Sequence, residues 1–90
     1  MNNNIKKYLN NNIKKYISDS LRGKLLMLRG FKQVSQETVA SEINISRESI
    51  TNYENGVVLP DLEKLYLLAE YYEVSCDYLL GKTNNKNIIK

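Results

Sequence analysis

Residues 46–55 carry side chains suited to reading a polynucleotide duplex. Arg47, Glu48, Thr51 and Asn52 are separated by one, three and four positions, so on a helix they share one side near its N-terminal end. The Arg fork matches O6 and N7 of guanine, the Asn amide matches N6 and N7 of adenine, and a Glu carboxylate accepts from N4 of cytosine. Gln36, Ser46, Ser49, Asn55 and Lys32 suit phosphate oxygens, which set register rather than sequence. Other chemistry is poorly provided for. The chain has no His and one Cys, Cys76, which removes the commonest general base and excludes an internal disulfide or thiolate metal site. No enzymatic activity, metal, cofactor or small-molecule substrate is expected, and Cys76 reads as a small core hydrophobe.

These side chains need a scaffold, and 90 residues that are 42% hydrophobic allow one small domain with one core. No apolar run approaches the length of a membrane span, and the opening segment lacks the apolar stretch of a signal peptide. With the lone thiol, this predicts a cytoplasmic protein with no membrane partner. The formal charge of +3 conceals a segregation. Residues 1–32 carry eight basic and one acidic group, residues 33–81 two basic and nine acidic, and residues 82–90 three basic. A basic arm precedes an acidic body, a pattern suited to holding a polyanion or to pairing arm with body.

The division expected from composition is a basic, Asn- and Lys-rich extension at 1–17, a helical domain at 18–81 and a flexible polar tail at 82–90, in which Ile88 and Ile89 could dock. The extension holds two near-identical octads, NNNIKKYL and NNNIKKYI. Ile5, Tyr8, Leu9, Ile13, Tyr16 and Ile17 follow helical spacing, which predicts an amphipathic helix, although the many Asn residues equally suit a flexible tail. Ser18, Asp19 and Ser20 read as a capping cluster, followed by a helix with Leu21, Leu25 and Leu28 inward and an end near Gly30. Ser35 caps a short helix at about 36–43, with Val39, Ala40 and Ile43 inward. Asn44 suits a left-handed turn, and Ser46 caps a helix at about 47–54 with Ile50 and Tyr53 inward. Asp61 opens the longest pattern, with Leu62, Leu65, Leu68, Ala69 and Tyr72 as its buried stripe, and Ser75 opens a final helix closed by Gly81. The whole is all-α.

Two short helices joined by a tight turn, with small Ala40 at their crossing, have the pattern of a DNA-binding helix-turn-helix. From about residue 21 to residue 81 the sequence resembles the Cro and phage-repressor type, the XRE family, through SQETVASEINISRESITNYENG and LPDLEKLYLLAEYYEVSCDYLLG. Arg29 seven residues before Gln36, the pair Tyr53 and Glu54, Gly56 four residues before Pro60, and VSCDYLLG carry the likeness. The resemblance implies a five-helix, λ-repressor-like bundle in which Gln36 grips phosphate and Arg47, Glu48 and Asn52 face base edges. It also implies an internal Arg29–Glu54 ion pair and a dimer contact near Tyr78. Where relatives often carry phosphate-touching cations after Gly56, this chain has Val57, Val58 and Leu59, so Arg22, Lys24, Lys32 and the arm must compensate. Val57 and Val58 join Tyr78 as candidate dimer contacts.

The expected function is a sequence-specific regulator of transcription, a repressor that binds a palindromic operator in double-stranded DNA as a homodimer through residues 46–55. The alternative is a protein-interaction module, an antitoxin or antirepressor component with weak or vestigial DNA binding. For the extension, self-association, docking on DNA and pairing with the acidic body all stay open.

Overall fold

A helix that begins at Ile13 runs without interruption to Lys32 in the computed structural model, which describes residues 3–6 and 12–87. The elements are α1 (Asn3–Lys6), α2 (Ile13–Lys32), α3 (Gln36–Ile43), α4 (Arg47–Glu54), α5 (Leu62–Tyr72) and α6 (Cys76–Leu80). No strand occurs among the described residues. The expectations placed on Lys7, Tyr8, Leu9, Ile88, Ile89 and Lys90 lie outside the described residues. Helices α2 to α6 form the five-helix bundle that the resemblance implies. In it, α2 packs on α4 and α6, α3 on α4 and α5, and α5 on α6.

The capping cluster expected at Ser18, Asp19 and Ser20 does not start a helix, because all three lie inside α2. Their side chains work between and along helices instead. Ser18 Oγ lies 3.5 Å from the Gly56 carbonyl oxygen and Ser20 Oγ donates to that of Leu79 at 2.9 Å, while Asp19 accepts from Lys15 at 2.8 Å one turn back. Of the octad residues expected on an apolar face, Ile17 packs against the core, whereas Ile5, Ile13 and Tyr16 are 44–49% exposed. The Tyr16 hydroxyl nevertheless donates to the carbonyl of Gly81.

The four later helices open alike. Ser35, Ser46, Asp61 and Ser75 have extended backbone, and each side chain accepts the N–H three residues on, at 2.9–3.1 Å. Such N-caps satisfy one of the four donors a helix leaves open. Four helices close on a left-handed residue, and only one of these is Gly: Gln33, Asn44, Glu73 and Gly81. Gln33 takes the C-cap expected near Gly30, and its N–H reaches back to the carbonyls of Arg29 and Gly30.

The core joins Leu21, Leu25 and Leu28 of α2 to Val39 and Ala40 of α3, Ile50 and Tyr53 of α4, Leu65, Leu68 and Ala69 of α5, and Tyr78 and Leu79 of α6. Ile45 and Val74, at the turns before α4 and α6, complete it. Burial of each large apolar side chain contributes about 1.5–3 kcal/mol. Leu62 is a correction to the expected stripe. It is 85% exposed, since it is the first residue of α5 and the packed face starts at Leu65. No helix among the described residues is long and apolar enough to cross a membrane.

Candidate nucleic-acid interface

Helices α3 and α4 are locked together by small and apolar residues at their crossing. Val39 and Ile50 are almost fully buried, Ala40 admits close approach, and the N–H of Ile45 bonds to the Ala40 carbonyl at 3.0 Å. Asn44 makes the turn with φ 55°, a conformation that Asn tolerates better than most non-Gly residues.

Behind this pair, Arg29 of α2 clamps Glu54 at the end of α4. Nε donates to Oε2 at 2.8 Å and Nη2 to Oε1 at 3.0 Å, while Nη1 donates to the Val34 carbonyl. The Glu54 side chain is 1% exposed. Its hydrogen bond to Arg29 pushes the guanidinium pKa further up, and burial together with the charge of Glu54 raises Tyr72 well above the ordinary phenol range. Gln36, at the start of α3, donates Nε2 to Glu54 Oε1 at 3.0 Å, and its Oε1 accepts from the Thr51 hydroxyl at 2.9 Å. Gln36 and Thr51, expected to touch phosphate and bases, are therefore bonded to each other and partly buried.

The other side of α4 faces outward. Arg47 and Glu48 are exposed and Asn52 is half-buried, whereas Ile50, Tyr53 and Glu54 on the inner side are buried. Ser46 and Ser49 share a 2.9 Å hydroxyl–hydroxyl bond at the helix start, and Asn55 is exposed at its end. Arg47 Nη1 donates to Oε1 of Glu37, in the first turn of α3, at 2.8 Å. Sequence spacing gives no sign of that partner, because ten residues separate the two and only the helix crossing joins them. Lys32 extends over the Tyr71 ring at 4.9 Å.

Of the candidate dimer contacts, Val57 and Val58 are 65% and 45% exposed. Tyr78 is 6% exposed, with the Lys24 ammonium 4.5 Å from its ring centroid, so its side chain is committed to the core. Cys76 is half-buried, and burial raises its thiol pKa. Lys14 and Lys15 of α2 line a shallow groove with Ser18, Asp19 and the 56–59 loop, which has no cation of its own.

Residues 27–79, which contain α3, α4 and the turn between them, match the family described as helix-turn-helix. The chain belongs to that family, in its XRE type. Curated relatives agree. The chain is 39% identical over 62 residues to an uncharacterized HTH-type transcriptional regulator, YobD, of Bacillus subtilis, covering 69% of this chain and 55% of the relative. It is 35% identical over 63 residues to the HTH-type transcriptional regulator AnsR of the same organism, covering 70% and 54%. It is also 42% identical over 48 residues to the cryptic phage CTXphi transcriptional repressor RstR of Vibrio cholerae, covering 53% and 43%. The chain thus spans about half the length of the curated relatives it matches. No solved structure matches it.

Proposed function

We propose that this helix-turn-helix chain is a sequence-specific regulator of transcription that binds double-stranded DNA through α4 and represses. The observation that carries the reading is the division of α4: its inner side is held by the core and by Arg29, and its outer side presents Arg47, Glu48 and Asn52. Such a helix, entering the major groove by its N-terminal end, brings these groups to base edges. Ser46, Ser49, Asn55 and Lys32 serve phosphates on either side, and Gln36, bonded inward, shapes the surface beside them. RstR, named as a repressor, supports repression as the outcome. The chain acts as a homodimer on a pseudopalindromic operator, with half-sites about 34–36 Å apart and with Val57 and Val58 at the contact between copies.

The test is selection of bound fragments from random duplexes, followed by affinity measurements on the selected operator. Arg47→Ala and Asn52→Ala relax base preference, each by about 1–3 kcal/mol at one position, and leave the melting temperature nearly unchanged. Both variants binding the operator as tightly as the parent would overturn the assignment. Absence of any DNA affinity would favour a protein-interaction module instead.

A further inference from the structure

Arg47 has company on the outward face. Its pairing with Glu37 spans the turn between α3 and α4, and the two side chains are 61% and 72% exposed. In water so exposed a pair adds little to the stability of a fold, yet this one sits at the tip of the reading surface. Glu37 accepts from Nη1. A guanidinium has five N–H donors in a fixed fork, so the Nε and Nη2 edge keeps both the donors that a guanine O6 and N7 require. A carboxylate facing a phosphate-lined groove is unfavourable unless a cation accompanies it, and Arg47 is that cation. Water leaving a closing interface strengthens the pair. An Arg held by one corner before contact also loses less rotamer freedom on binding.

We infer that Glu37 is a positioning residue for base recognition: by holding Nη1 it fixes the plane of the Arg47 guanidinium and turns the Nε and Nη2 edge toward a guanine. The inference rests on the reading of Arg47 as a base-contacting residue. It assigns to α3 a share in specificity beyond any contact of its own with DNA.

The experiment uses the full chain and the operator selected by the parent protein. Arg47→Ala first identifies the base pair whose preference disappears. The parent discriminates guanine from adenine there by about 5- to 150-fold. Glu37→Gln lowers that ratio several-fold at this pair alone, with preferences elsewhere and the melting temperature unchanged, and Glu37→Asp restores part of it. A Glu37→Gln variant that keeps the parental ratio, while its affinity for all sequences changes equally, shows that Glu37 acts only as a charge and overturns the inference. If Arg47→Ala erases no preference at any position, the underlying base-reading assignment falls instead, whatever Glu37 does.

Discussion

Glu54 joins three helices through one carboxylate: it belongs to α4, accepts two hydrogen bonds from Arg29 of α2 and a third from Gln36 of α3. Burying a charge is costly unless it is paired and hydrogen-bonded, and here Arg29 supplies the cation while both oxygens accept hydrogen bonds. Removing Arg29 leaves the carboxylate inside without its cation. Arg29→Met is expected to destabilise the fold by about 3 kcal/mol, the lower end for a broken buried pair because Arg29 itself stays 24% exposed. Glu54→Gln, whose amide oxygen can still accept from Arg29 Nη2 and Gln36 Nε2, costs less. Urea unfolding of the two variants checks the order, and equal losses would show that burial of Glu54 is not what makes Arg29 important.

At the scale of elements, glycine placement gives opposite expectations. Gly23 and Gly30 lie within α2, and a Cβ at either meets nothing within 4 Å. Ala at each should therefore stabilise by about 0.5–1 kcal/mol through a less flexible unfolded chain. Gly81 has φ 83°, and a Cβ there would lie 2.9 Å from Ser20 Oγ and 3.1 Å from a Tyr16 ring carbon. Gly81→Ala combines left-handed strain with a clash and should destabilise by more than about 1 kcal/mol. Thermal melts of the three variants test the contrast, and a destabilised Gly30→Ala would contradict the open surface described for it.

The same elements show what the sequence could reveal. The caps at Ser35, Ser46, Asp61 and Ser75 were legible because a short polar side chain before an apolar period has a local cause. Apolar spacing likewise places Leu21, Leu25, Leu65 and Leu68 in helices with inward faces. The end of α2 differs from the spacing because Gly30 has the appearance of a stop, whereas the left-handed residue is Gln33. The start of α2 differs too, because Ser18, Asp19 and Ser20 look like caps, whereas Ser18 and Ser20 face other elements and Asp19 pairs with Lys15 of α2 itself. Spacing alone brings neither Glu37 to Arg47 nor Gln36 to Thr51, because both contacts depend on how α3 crosses α4. Periodicity says which side of a helix is apolar, but not which polar group another helix brings to it.

Across the molecule, the reading helix lies within the acidic stretch of residues 33–81, while cations gather on α2. Lys14 and Lys15 beside the 56–59 loop, with the Arg22 side chain close to Gly56, put positive charge at the C-terminal rim of α4. Phosphate neutralisation releases counterions, so the salt dependence of binding reports how many phosphates the protein neutralises. Replacing Lys14 and Lys15 by Ala is expected to flatten the log–log salt slope by about 0.9 for each phosphate left without its cation, with base preference retained. An unchanged slope would mean that this end of α2 stays clear of the DNA backbone.

The clasp of Tyr16 and Ser20 on the carbonyls of Gly81 and Leu79 also bears on how the chain acquires its shape. With five residues, α6 is far below the length at which an isolated helix persists. Its polar anchors belong to a segment made some sixty residues earlier. The closing helix therefore holds its form only while the strip of α2 carrying Tyr16 and Ser20 stands beside it.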